Sequence, residues 1–258
     1  MRRWPARAWW FAVVLWCYAV SVSAPAHGGQ LTVAVAANFA APMKVIASQF
    51  ESEHGVTLKI AYGATGQFYA QIRNGAPFEV LLAGDVATPA KLVDEGFALA
   101  QTQFTYAIGQ LVLWSRDPEL IDTDAAVLRS PHFRRLALAN PVLSPYGAAA
   151  IEVMTHLGLR QSLAPKLVQG ANIGQAFQFV ASGNAQLGFV AMAQVFADGQ
   201  LTSGSAWVVP SQYHAPIEQD AVVLVAGAHN PTAHALLQHL ASPEGVEVLR
   251  SFGYRVHP

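Results

Sequence analysis

Apolar positions along this chain fall into two alternating rhythms. Residues 31–36 form a short aliphatic run, after which Met43, Ile46, Ala47 and Phe50 recur at helical spacing until Gly55. Runs at 56–61 and 78–83 read as a second and a third strand. Between them Phe68, Tyr69 and Ile72 make the apolar face of a helix that Asn74-Gly75-Ala76-Pro77 ends. Thr88-Pro89 predicts a capped helix start, stopped by Gly96. Residues 104–115 read as one long strand. Strands at 136–139 and 187–191, helices around 149–158 and 175–182, and a Gly/Ser-rich loop at 201–205 come next. A second long apolar strand at 219–226 leads into helical segments at 232–240 and 243–252.

Strands alternating with helices predict an α/β architecture with largely parallel sheets. The two long strands lie roughly a hundred residues apart, the pattern of a chain that crosses into a second lobe and returns. One lobe is then built from residues 27–110 and 218–258, the other from 111–217. Ligands of such sheets sit beyond the carboxyl ends of strands, so two hinged lobes place them in the cleft between. A single doubly wound domain is the alternative that this pattern leaves open.

The N-terminus has a different character. Arg2, Arg3 and Arg7 precede an apolar run from Trp9 to Val20, and Ala24-Pro25-Ala26 offers a small-x-small cleavage site. Residues 1–26 therefore read as a secretory signal peptide. The run is short for a membrane anchor, and no basic stop-transfer cluster follows it. The chain is 53% hydrophobic with a mean hydropathy of +0.30, but beyond the signal this comes from short Ala, Val and Leu runs.

Removing the signal changes the charge. Three of the fifteen basic residues lie within it, leaving twelve against sixteen acidic ones, so the mature chain is near −4. It loses its single cysteine, Cys17, and with it any thiol chemistry. A mildly acidic chain without basic clusters does not point to nucleic acid, and overall charge does not draw an anion to it.

The candidate chemistry sits where strands run into helices. The first strand passes directly into Asn38-Phe39-Ala40-Ala41-Pro42, with Asn38 an N-cap type of residue. The second ends at Ala61-Tyr62-Gly63-Ala64-Thr65-Gly66, where Thr65 brings a hydroxyl to the next helix start. Such junctions present unpaired N–H groups and the positive end of a helix dipole, which together favour an anion. Either junction alone is also what an ordinary capped helix looks like.

Taken in order, several segments resemble the periplasmic molybdate-binding proteins of ABC transporters. They are Ala36-Ala37-Asn38-Phe39, Gly63-Ala64-Thr65-Gly66 with Tyr69-Ala70-Gln71-Ile72, and Asn74-Gly75-Ala76-Pro77-Phe78. Phe104-Thr105-Tyr106-Ala107-Ile108-Gly109, Asn140-Pro141 with Pro145-Tyr146-Gly147, and Gly188-Phe189-Val190-Ala191 continue the series. The likeness runs from about Leu31 to the C-terminus.

This resemblance implies a two-lobed periplasmic binding protein fold of type II, its discontinuous lobes joined by two hinge strands. It also implies a monomeric, periplasmic substrate-binding component rather than an enzyme, with no catalytic residues and no cofactor. The implied ligand is molybdate or tungstate, and the implied partner is a cognate permease at the inner membrane. Matched position by position, the ligand residues are Ala37, Asn38, Thr65, Tyr146 and Ile173, with no side chain ligating a metal directly. Asn38 follows a subgroup of the family, many relatives having Ser there, and Thr65 stands where Ser is usual. Ala191 stands where another branch places a tyrosine, for which Tyr146 substitutes. Sulfate or another oxyanion, and an enzyme using the same pocket, remain the competing readings. Molybdate and tungstate offer only acceptor oxygens near neutral pH, whereas phosphate carries a proton that asks for an acceptor.

Other constellations carry less. His229, His234 and His239 are spaced five apart, which does not align ligands on one helical face. Asp85 is expected to cap or bond locally. Trp114 and Trp207 read as core or hinge packing. The chain has no Gly-x-Ser-x-Gly elbow, phosphate loop or dinucleotide fingerprint.

Overall fold

The computed structural model describes residues 29–122 and 124–256; the proposed signal peptide at 1–26 lies outside them. The chain begins with β1 (Gln30–Ala36), a short 3-10 turn over Ala37–Phe39, α1 (Ala40–His54), β2 (Thr57–Gly63), α2 (Thr65–Arg73), β3 (Val80–Leu82), α3 (Ala87–Asp94) and β4 (Phe104–Gly109). It then runs through β5 (Leu111–Ser115), β6 (Leu136–Ala139), α4 (Pro145–His156), α5 (Arg160–Leu163), β7 (Leu167–Gly170), α6 (Ile173–Ala181) and β8 (Leu187–Ala191). A small hairpin of β9 (Phe196–Ala197) and β10 (Gln200–Leu201) precedes β11 (Ser205–Val208), β12 (Ile217–Val223), α7 (Pro231–Ala241) and α8 (Pro243–Ser251).

Two five-stranded sheets organise these elements. The first has the order β2-β1-β3-β12-β4 and the second β11-β5-β8-β6-β7. Strands β1, β2 and β3 run parallel, but β12 is antiparallel to both its neighbours. In the second sheet β6 is parallel to β7 and β8, while β5 is antiparallel to β8 and β11. The sheets are thus mixed rather than largely parallel. The reason is the path of the chain: a strand that returns from the other sheet arrives from the opposite end.

The expected long strand at 104–115 does carry the chain from one sheet to the other, but it is two strands. Gln110 interrupts it, its Nε2 donating to the Gly253 carbonyl at 2.5 Å and its own carbonyl accepting from Met192 N–H at 2.9 Å. The chain returns between β11 and β12, and the expected strand at 219–226 is β12, which stops at Val223 before a 3-10 turn over Val225–Gly227. Thr88 is not the cap of α3. The helix starts at Ala87, and Asp85 accepts from Thr88 N–H at 2.6 Å, the local bond expected of Asp85.

Each sheet has its own core. Val33, Val35, Leu82 and Val223 of the first sheet pack against Met43, Ile46 and Phe50 of α1 and Leu236 and Leu240 of α7. Leu113, Leu138, Phe189 and Val190 of the second pack with Val153 and Met154 of α4 and Val180 of α6. Burying one such side chain contributes about 1.5–3 kcal/mol, so each half holds its strand ends in fixed positions. Trp114 stacks on Phe177 at 5.2 Å and Trp207 tilts against Tyr213, so both are packing residues.

Candidate anion-binding site

Helix starts from both halves face one another where the sheets meet. Asn38 lies inside the 3-10 turn after β1 rather than at its N-cap, which is Ala36 and has no side-chain bond to offer. The starts of α2 and α4, with N-caps Ala64 and Ser144, likewise lack a side-chain cap. At α6 Asn172 accepts from Gln175 N–H at 3.0 Å, one turn in, which leaves the Ile173 and Gly174 amides at the open end. Ala37 packs in the second sheet's core, 3.5 Å from where a side chain on Gly174 would stand. The first junction therefore plugs directly into the start of α6.

All five sequence-derived residues are buried: Ala37 at 7% exposure, Asn38, Thr65 and Ile173 at 2%, and Tyr146 at 1%. Thr65 Oγ1 accepts from Gly84 N–H at 2.9 Å. A side chain on Gly84 would lie 3.3 Å from that hydroxyl and 3.4 Å from Asn38 Oδ1, so the close approach of the β3 loop ties the two junctions together. Asn38 Nδ2 donates to Gln219 Oε1 at 2.8 Å and to Tyr254 Oη at 2.9 Å. Tyr254 in turn donates to the Asn38 carbonyl at 3.1 Å. Gln219 Nε2 donates to Tyr146 Oη at 3.1 Å, and Tyr106 Oη lies 3.1 Å from both Gln219 Oε1 and the Ala83 carbonyl.

Gln219, Tyr254 and Tyr106 thus join the site. Gln219 is fully buried on β12 beside a register shift between Gln219 and Asp220. Its adjacent polar pair at the head of an apolar strand was the available signal, since a buried amide there must have partners. Tyr254 gave none, lying 216 residues from Asn38 in sequence.

Every side chain in this network is uncharged. Burial raises the pKa of Tyr146 and Tyr106 well above the usual phenol value, with the nearby phenol of Tyr254 adding to it; burial raises Tyr254 as well. The three phenols are therefore neutral hydrogen-bond donors at neutral pH.

The orientation of the hydroxyls follows from counting hydrogens. Thr65 Oγ1 and Tyr146 Oη each accept an N–H, from Gly84 and Gln219 respectively. Each keeps its own hydrogen for another acceptor, and for Tyr146 the neighbouring Tyr254 oxygen is one within reach. Asn38 has both amide hydrogens engaged, so its unused donor is the main-chain N–H.

The two halves also touch directly. Gly66 N–H donates to the Leu143 carbonyl at 3.1 Å. The Tyr146 hydroxyl is seated against Gly109, the last residue of β4, where an added Cβ would clash with the phenol oxygen and lie 2.6 Å from Gln219 Nε2. Beside this seam a cavity of ≈ 320 Å³ is lined by Gly84, Asp85, Pro145, Glu152, Ile217 and Glu218, among others. Burial raises the Asp85 pKa, bonds from Thr88 oppose that, and Asp220 adds to it.

Residues 31–255 match the family model for bacterial extracellular solute-binding proteins. The chain belongs to that family. The solute-binding fold accounts for the two mixed sheets and the helix starts between them. Among relatives, this solute-binding protein is 54% identical to the molybdate-binding protein ModA of Azotobacter vinelandii over 229 residues, 89% of this chain and 91% of that one. It is 48% identical to ModA of Rhodobacter capsulatus over 91% of this chain and 92% of the relative. Its structure superposes on the periplasmic molybdate-binding protein of A. vinelandii with a TM-score of 0.86 and 40% identity, covering 88% of this chain and all of the other.

Proposed function

We propose that this solute-binding protein captures molybdate or tungstate in the cleft between two lobes, residues 27–110 with 218–258 and residues 111–217. It then delivers the anion to an ABC permease at the inner membrane. In this reading residues 1–26 export the chain to the periplasm, where it works as a monomer without a cofactor. The ligand contacts are the amides of Ala37, Asn38 and Ile173 and the hydroxyls of Thr65 and Tyr146.

One observation carries the reading. Two hydroxyls from opposite halves each already accept an N–H, within a buried network that has no charged side chain. Hydroxyls bonded in this way turn their own hydrogens outward, so the site is rich in neutral donors. Fully deprotonated dianions suit it, and an anion bearing a proton does not. Each hydrogen bond to a charged group contributes about 1.5–3 kcal/mol, so five contacts are enough for micromolar binding, which needs about 8 kcal/mol, without any lysine or arginine. The relatives named above supply the choice of molybdate over other dianions of this kind. Binding fastens one lobe to the other, and the fastened form is the one a permease distinguishes from the free protein.

Titration calorimetry with molybdate, tungstate, sulfate and phosphate tests the proposal. Molybdate and tungstate are expected to bind at about micromolar or tighter, with phosphate at least about a hundredfold weaker. If molybdate, tungstate and sulfate all fail to bind at that level, the proposal is wrong. Sulfate binding alone would transfer the function to the smaller anion.

A further inference from the structure

The Gln219 side chain bonds to both Asn38 and Tyr146, and unlike the Tyr254 hydroxyl, which also reaches both, it does so with separate accepting and donating ends. It stands on β12, the strand that the chain enters on its return from the second sheet, fully buried. A primary amide has one face that accepts and one that donates. Its Oε1 is committed to Asn38 Nδ2 and lies within reach of Tyr106 Oη, so its Nε2 faces Tyr146. The phenol oxygen must therefore accept, and its hydrogen must point elsewhere. Were the amide reversed, Oε1 would face Tyr146 and draw the phenol hydrogen, while Nε2 would confront an Asn38 amide group that is itself a donor.

We propose that Gln219 is a positioning residue for ligand selectivity: it holds the Tyr146 hydroxyl as a donor and thereby excludes oxyanions that carry a proton. This rests on the oxyanion reading above and extends it to a residue that touches no ligand. Gln219 also makes the two halves interdependent. Asn38 belongs to the first junction and Tyr146 to the start of α4, and one amide sets the orientation of both. A site assembled from separate lobes thus presents its donors in register only when the lobes meet.

The test is a double-substitution cycle with a selectivity readout. Molybdate and phosphate affinities are measured for wild type, Gln219→Met, Tyr146→Phe and the pair, with thermal unfolding of each unliganded protein alongside. Gln219→Met keeps the length of the side chain and removes both faces of the amide. It is expected to weaken molybdate about tenfold or more and to lower the molybdate-to-phosphate preference by a similar factor, because a released phenol can accept the phosphate proton. In the Tyr146→Phe background the same change should cost less than about threefold.

A purely structural role would weaken both anions equally and add to Tyr146→Phe; either result overturns the proposal. Should Gln219→Met not fold, Gln219→Asn serves in its place, keeping the amide but drawing it one carbon back from Tyr146. Wild type that binds neither molybdate nor tungstate overturns the functional reading and this inference with it. Wild-type binding with an unchanged preference overturns this inference alone.

Discussion

Gly109 is the place where a single methyl group separates binding from folding. It ends β4 immediately before Gln110, where the chain crosses between sheets. A Cβ there would clash with the Tyr146 hydroxyl and approach Gln219 Nε2 to 2.6 Å and Tyr146 Cζ to 2.9 Å. Gly109 is not among the glycines with positive φ, so alanine costs the backbone nothing, and the whole effect comes from crowding. Tyr146 enters from the other half of the molecule and is displaced as α4 withdraws. Overpacking costs about 1–3 kcal/mol, and the Gln219 amide left without its partner costs about 1–3 kcal/mol. Since retreat of the phenol relieves part of the first, a net of about 2–4 kcal/mol is reasonable, and it falls on the arrangement in which the halves touch. Gly109→Ala should therefore weaken molybdate binding by about 30-fold to nearly 1,000-fold. Melting of the unliganded protein should fall by only a few degrees, because separated lobes free the methyl from the Tyr146 phenol and leave it only the flexible end of Gln219 to push aside. Calorimetry gives the affinity, and small-angle scattering with and without molybdate gives the compaction. Binding within threefold of wild type, with normal compaction, would refute the seating of Tyr146 at this glycine.

Thr65→Val keeps the shape but removes the oxygen that accepts from Gly84. It should lower both molybdate affinity and stability by about 1–3 kcal/mol, whereas Thr65→Ser should keep the affinity within a few-fold; calorimetry and chemical denaturation check both. The pH dependence follows from the buried phenols, whose folded-state pKa values are raised above their unfolded value near 10. Their stabilising contribution is complete below the unfolded value and is lost as pH climbs toward the folded ones. Melting temperature should then be insensitive to these groups from pH 7 to 9 and fall above about 10, and Tyr146→Phe should make the alkaline fall shallower. An alkaline fall as steep in that variant as in wild type would remove Tyr146 from the account.

Of the residues proposed to meet the anion, Asn38 and Thr65 were legible as polar breaks in an apolar pattern where a strand becomes a helix, whereas Ala37, Tyr146 and Ile173 came only from the family resemblance. The crossing at 104–115 stood out as a strand too long for one sheet. The break at Gln110 was hidden, since its cause is a contact with Gly253 far along the chain. Antiparallel β12 was hidden too, because period and propensity carry no direction. The supporting network fared worst. Tyr254 and Gln219 act through partners from distant elements, and nothing local distinguishes Tyr254 from a residue closing the last helix. Residues at strand-to-helix breaks follow local backbone rules, but those that bond to them are fixed only by the assembled fold.

The contact between Gly66 and Leu143 has a consequence of another sort. It joins the halves through main-chain atoms, N–H to carbonyl at 3.1 Å, and it depends on position 66 being glycine, since a Cβ there would lie 3.2 Å from Leu143 Cα. On the proposed function, side-chain changes within the pocket would alter which anion is held, while this bond would bear on how long it is held. Preference and dwell time would then rest on different parts of the chain, one on a few hydroxyls and amides, the other on the path of two loops.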